Sequence, residues 1–216
     1  KEQEEMALAY QTALTIESVI KDIDSKKYLL PSIQREFVWS TGQIEKLFDS
    51  LMRDYPINAF LFWKVPREKV SEFKFYEFLR DYHQKDNKHN PKANTNGTED
   101  IIAILDGQQR MTSLYIALKG TYAYKMSYKR WDNPAAYPKR KLYLNLLAAS
   151  DDADMFYDFL FLTEEEAKNI KNDNDEYEGS FWFPVGKILD FREESDVNDY
   201  LIDNDLNTVA DKAQAK

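Results

Sequence analysis

The chain contains no cysteine among its 216 residues. Disulfides and thiolate metal sites are therefore excluded, and the fold has no need of an oxidising compartment. A long hydrophobic run is missing too. The most apolar stretch is the short one from Ile101 to Leu105, and the charged N-terminus is followed by no signal-peptide core. The expectation is a cytoplasmic protein with no membrane partner. Excess positive charge is also absent: 29 Lys+Arg stand against 38 Asp+Glu, a net charge of -9. Broad capture of a nucleic-acid backbone is thereby disfavoured, and any such contact must be local. Lys1 in place of Met and the polar Ala/Lys tail read as a piece of a longer native chain.

What is present is the composition of a globular domain, with 43% hydrophobic and 31% charged residues. The length suffices for one good-sized core or two small ones. Aromatics reach 14%, and rings are efficient core fillers.

Residues 1–14 read as a helical lead-in with few anchors. Thr15 precedes Ile16, Val19, Ile20 and Ile23, spaced as one face of a short helix. A strand is expected from Lys26, ending at Pro31, and then an irregular segment over Gln34 to Trp39. Ser40 and Gln43 form a Ser-x-x-Gln capping box ahead of Ile44, Leu47, Phe48, Leu51, Met52 and Tyr55 at helical spacing. Ile57 to Val65 alternates and predicts a strand closed by Pro66. Asp81 to Asp100 is polar and predicts a long surface loop or hairpin tip. Ile101 to Leu105 predicts a central strand covered on both faces. Met111, Leu114, Tyr115 and Leu118 predict a helix ending at Gly120. Further on, strands are expected around Leu142 to Leu146, Met155 to Leu162 and Phe181 to Val185. Thr163 to Glu166 repeats the capping-box pattern. Asp173 to Gly179 reads as an acidic loop, and Asp196 to Ile202 as an amphipathic stretch. The fold class is α+β, a mixed sheet with helices packed against it.

The junction at Leu105 to Thr112 carries the sharpest chemistry. A buried strand runs into Asp106-Gly107 and a helix begins at once. Gly107 permits a tight turn and close approach to a ligand. The helix start offers unpaired amides and a positive dipole end to an anion. Gln108 and Gln109 add amide groups, Arg110 a planar fork suited to phosphate, and Thr112 a hydroxyl. Three uses are open to Asp106: holding a divalent ion, orienting Arg110, or capping the helix. The same pentapeptide also suits an ordinary strand-to-helix turn. A second cluster, Gln34 and Arg35 with Trp39, sits between a strand end and the capped helix; Arg35 can equally pair with Glu36 or stack on Phe37 or Trp39.

Together these segments carry a family resemblance. Leu30-Pro31-Ser32-Ile33-Gln34-Arg35-Glu36-Phe37-Val38-Trp39, followed by Ile104-Leu105-Asp106-Gly107-Gln108-Gln109-Arg110-Met111-Thr112, resembles the N-terminal domain of the GmrSD-type modification-dependent restriction endonucleases. Met111 stands where leucine is more usual, a swap that conserves volume. The resemblance implies a fold related to ParB and sulfiredoxin. It also implies nucleoside triphosphate binding and hydrolysis, with Mg²⁺, at Asp106 to Arg110, with Gln34 and Arg35 lining the same pocket. It implies coupling to a C-terminal HNH-type nuclease domain or subunit that cuts modified foreign DNA. On this reading residues 15–125 form the ParB-like nucleotide-binding core, with the polar loop at 81–100, and 126–216 continue the same domain.

In the mechanism so implied, Asp106, Gln108, Gln109 and Arg110 are catalytic; Gln34, Arg35, Gly107, Arg110 and Thr112 bind the nucleotide; and Asp106 handles the metal. The nuclease itself is not in this chain. Its chemistry needs several histidines, and only His83 and His89 are here, both in the polar loop. The alternative is a binding module without catalysis. It would grip DNA phosphate through the same glycine turn, read a modified base with Trp39 or Trp63, and draw on a basic strip of Lys125, Lys129, Arg130, Lys139, Arg140 and Lys141. A docking subunit using the acidic 190–206 region is a further alternative.

Overall fold

Thr15 opens the first helix. Its side chain accepts from the Ser18 amide at 3.2 Å, and α1 (Ile16–Asp24) buries Val19, Ile20 and Ile23 as the periodicity requires. The computed structural model describes residues 13–32, 36–96, 100–169 and 180–206. After β1 (Tyr28–Pro31), the capping box at Ser40 and Gln43 is reciprocal and starts α2 (Thr41–Met52), which turns Ile44, Leu47 and Phe48 inward. Then come β2 (Leu61–Val65), α3 (Arg67–Val70), β3 (Phe75–Tyr76), β4 (Asp81–His83), β5 (Ile101–Asp106) and α4 (Gln108–Lys119). The rest is β6 (Thr121–Ala123), β7 (Lys139–Ala149), β8 (Tyr157–Leu162), α5 (Glu164–Asn169), β9 (Trp182–Pro184) and α6 (Glu194–Asp203), with short 3-10 turns at Pro134–Ala136 and Val185–Asp190.

The architecture is α+β, but the strands form two mixed sheets where one was expected. The first has the order β2-β5-β1-β3: β1 and β5 run parallel, and β2 and β3 flank them antiparallel. The second has the order β4-β6-β7-β8, with β9 also on β7; β4 and β6 are parallel and the other pairs antiparallel. The largest core cluster runs from Val19 in α1 to Val185 after β9 and draws on both sheets. At its centre lies α4, buried continuously from Met111 to Leu118. A helix apolar all round is a core helix, so only its first turn is available to solvent chemistry.

The free edge of β8 is covered by carboxylates from α2. Asp49, itself buried, accepts from the Phe156 and Tyr157 amides, both at 2.8 Å, and pairs with Arg53 at 3.2 Å. Glu45 accepts from the Phe161 amide at 3.0 Å. An edge strand closed by side chains cannot recruit a foreign strand. The Thr163 capping box likewise forms: the Thr163 amide donates to Glu166 at 2.7 Å and the Glu166 amide to Thr163 Oγ1 at 3.1 Å.

Several expectations are corrected. The strand expected over Ile57 to Val65 starts only at Leu61, because Asn58 sits in the left-handed region (φ 72) and the carbonyls of Ile57 and Ala59 accept from Arg110. The polar 81–100 segment is no free loop. Tyr82 is buried, β4 pairs with β6, and backbone bridges join His83 to Asn87 and Tyr76 to Lys92. Leu105, expected under cover, is 44% exposed, since β5 reaches solvent at its C-terminal end. The helix does end at Gly120, as expected; Gly120 itself is extended (φ -118), and a Cβ there would lie 2.6 Å from the Arg80 carbonyl carbon, so close backbone approach is what requires glycine. Residues 1–12 of the expected 1–14 lead-in and the acidic loop at 173–179 lie outside the described residues, and residues 13 and 14 are not helical.

Candidate functional site

Parallel pairing of β1 and β5 decides where the two sequence clusters go. Tyr28 lies opposite Ile102 and Leu29 opposite Ala103, so both strands end at the same edge of the sheet. Asp106 closes β5 there, and the segment bearing Gln34 and Arg35 follows β1 in sequence. Ligand sites in such sheets collect beyond the carboxyl ends of parallel strands.

Gly107 makes the turn. Its φ is 85, and the Phe60 ring stands against it: a Cβ at this position would come within 2.8 Å of Phe60 Cε1 and 3.2 Å of Arg110 Nη2. Only glycine meets both demands. The Met111 amide then donates to the Gly107 carbonyl at 2.9 Å, closing the first turn of α4. Gly107 has no side chain to cap the amides of the first turn that follow it, which leaves the positive end of the helix dipole beside the strand edge.

The side chains of this first turn hold the surrounding chain in place. Gln109 donates through Nε2 to the Glu36 carbonyl at 3.0 Å and accepts through Oε1 from the Val38 amide at 3.1 Å, pairing with the backbone as a neighbouring strand would. Between those bonds Phe37 is buried against Tyr82. Arg110 donates through Nη1 to Ile57 O and through Nη2 to Ala59 O at 2.9 Å, with its guanidinium 4.7 Å from the centre of the Phe60 ring. Its side chain is 15% exposed, while that of Asp106, 3.9 Å away, is 75% exposed. Gln108 donates to the Ile104 carbonyl at 2.8 Å. Thr112 is buried within α4.

The structure thus brings Asp106, Gly107, Gln108, Gln109 and Arg110 into one turn, with Thr112 beneath it, and ties that turn to residues 36–38. Gln34 and Arg35 themselves lie outside the described residues. Asp106 offers a solvent-facing carboxylate. Among the described residues no group of three His, Cys, Asp or Glu side chains gathers to hold a metal ion, so a Mg²⁺ at Asp106 would rest mainly on substrate phosphates and water, the common arrangement for that ion. His83 is part of a turn, its Nδ1 accepting from the Lys85 and Asp86 amides and its ring 4.8 Å from Tyr137; His89 is exposed near Glu36.

Trp63 is half-buried and packs edge-on to Phe73 at 4.9 Å, and Trp39 is half-buried against the main core. Arg140 leaves the basic strip: it is buried over Tyr124 and paired with Glu166 at 3.5 Å. Phe60 and the carbonyls of Ile57 and Ala59 are part of the site that sequence reasoning missed. The one local signal was Asn58, a residue tolerant of left-handed backbone. Among the described residues no helix is long and apolar enough to cross a membrane.

An uncharacterized protein of Methanocaldococcus jannaschii is 33% identical over 113 residues, covering 52% of this chain and 18% of that protein. The chain therefore matches less than a fifth of that relative's length. The profile of the family described as GmrSD restriction endonuclease, N-terminal domain matches residues 16–213. That span includes both sheets, the Gly107 turn and the 36–38 segment pinned to it, and the chain belongs to this family of restriction endonuclease N-terminal domains.

Proposed function

We propose that the first turn of α4 is a nucleoside triphosphate site and that this chain is the nucleotide-hydrolysing regulatory domain of a modification-dependent DNA restriction protein. The nuclease, an HNH-type domain or subunit, lies outside this chain. The observation that carries the reading is the Gln109 clamp, which fixes the 36–38 backbone against a glycine turn at the shared end of two parallel strands. Kinship with the ParB and sulfiredoxin fold belongs to the same reading.

In this reading the amides at Gln108 to Arg110 cradle phosphate and Arg35 supplies a second cationic clamp. Arg110, already bound to two carbonyls and a ring, shapes the wall and adds field rather than reaching out. Asp106 carries the Mg²⁺ that comes with the nucleotide. Gln109 has both ends of its amide engaged, so Gln108 is the better candidate to orient water. Water attacks the terminal phosphorus, the bridging P–O bond breaks, and nucleoside diphosphate, inorganic phosphate and a proton leave. Occupancy would bias contact with modified DNA or with the nuclease by differential binding to two states.

The test is phosphate release from each Mg-nucleoside triphosphate by the wild type, Asp106→Ala and Gln108→Ala. Wild-type turnover lost in both variants supports the proposal; equal turnover in all three discards it. The commitment of Arg110 to main-chain carbonyls also favours a second reading, binding without hydrolysis. Tight nucleotide binding with no phosphate release would select it.

A further inference from the structure

The loop between β6 and β7 has no place in the nucleotide site, yet it combines features rarely found together on an acidic protein. The loop itself, residues 124–138, holds three cations, Lys125, Lys129 and Arg130, and one acidic residue, Asp132, in a chain of net charge -9. At its tip Tyr128 is fully exposed and holds a left-handed backbone (φ 64), and Trp131 is 58% exposed. Two large rings facing water would ordinarily be buried. A bulky residue at positive φ is a strained outlier, of the kind that concentrates where a surface is used.

Several bonds tie down the loop backbone and the Trp131 end of it. Lys125 Nζ donates to the carbonyls of Met126 at 3.0 Å and Lys129 at 2.9 Å, and lies 5.5 Å from the centre of the Trp131 ring. The Tyr137 hydroxyl donates to the Trp131 carbonyl at 3.1 Å, the Met126 amide to Ala136 at 2.7 Å, and the Lys125 amide to Gln84 at 2.7 Å. Lys129 and Arg130 stand exposed between the two rings in sequence. Arg130 meets Asp132 at 3.3 Å, with both side chains largely in water, a pairing easily exchanged for another anion.

We infer that this loop is a contact site for unpaired nucleobases, with Trp131 and Tyr128 as stacking faces and Lys129 and Arg130 on the adjoining phosphates. Exposed aromatics interleaved with cations are the chemistry of single-strand binding: every base has a π-face, and the backbone supplies the charge. The local positive charge favours a polyanion over an apolar protein partner, and a restrained loop loses little entropy on binding. The inference is independent of the nucleotide site.

The test is fluorescence anisotropy of a fluorescein-labelled fifteen-nucleotide oligo-dT with the 216-residue chain at low salt. Wild type should bind, Trp131→Ala should weaken binding at least tenfold, and Trp131→Phe should keep most of it. Lys129→Ala/Arg130→Ala should weaken it and flatten its salt dependence. A blunt duplex of the same length should bind at least tenfold more weakly. Unchanged thermal unfolding shows that each exposed-site variant is folded. The inference is overturned if wild type fails to bind the single strand, if Trp131→Ala binds as wild type does, or if duplex binds equally well. Tighter binding to a deca-glutamate peptide than to the oligonucleotide also overturns it, and marks a protein-docking surface instead.

Discussion

The Phe60 ring fills the space that a side chain at position 107 would need. Gly107→Ala combines that clash with a positive φ, and should destabilise the fold by about 1–3 kcal/mol. For a chain of this size each kcal/mol lowers Tm by about 2–4 °C. Adding Phe60→Ala should relieve the clash but not the backbone strain, so a double-mutant cycle by thermal unfolding should show coupling between the two positions. Additive effects would contradict the contact.

Gln109 is expected to act on segment 36–38 before it acts on anything else. Gln109→Leu keeps the volume but removes both bonds to Glu36 and Val38, at a cost of about 1–3 kcal/mol. Amide exchange at Val38 should rise strongly while the α4 interior, buried on all sides, stays protected. Unchanged protection at Val38 would show that the clamp holds nothing.

Glu45 gives the fold a pH dependence of known sign. Burial pushes its carboxyl up to about 7, with the Phe161 amide opposing and nearby Asp158 adding to the rise. A raised folded-state value means that stability is fully present below the ordinary value of 4.5, is lost as pH rises toward 7, and is absent above it. Glu45→Gln mimics the protonated form and can still accept from Phe161. It should therefore raise Tm at pH 8 and leave it nearly unchanged at pH 4.5. Denaturation at both pH values checks this, and a larger gain at the acid end would contradict it.

Asp49 behaves in the opposite way. Burial raises its carboxyl, but the Tyr157 and Phe156 amides and Arg53 outweigh that, and the net direction is down. Its stabilisation is present above the ordinary carboxylate range and is lost as acid titrates it. Asp49→Ala strands two backbone amides, and should cost about 1–3 kcal/mol for each one left unsatisfied. Urea unfolding measures it, and a cost below about 1 kcal/mol would mean that water replaces the carboxylate.

Much of this fold is legible in the sequence where the cause is local. The capping boxes at Ser40 and Thr163, the α1 periodicity and the β5-to-α4 junction each depend on residues a few positions apart, and each forms. The misses have non-local causes. β4 is polar and exists because β6, some forty residues on, pairs with it. Ile57 to Phe60 alternates like a strand, but Arg110, fifty residues later, takes its carbonyls. In the candidate site the order Asp106-Gly107-Gln108-Gln109-Arg110 announced a turn at a helix start. That Gln109 and Arg110 face the protein rather than a ligand could not be read, because residue type says what a side chain can bind and not which partner lies closest. Two exposed rings in the 125–132 loop were hidden by the opposite rule, that aromatics pack inward.

Backbone amide NMR shifts during a titration with Mg-nucleoside triphosphate test the central claim most directly. The account predicts saturable shifts concentrated at Asp106, Gly107, Gln108, Gln109 and Arg110 and at residues 36–38, abolished in Asp106→Ala. Shifts confined to other elements, or none at millimolar nucleotide, would contradict it.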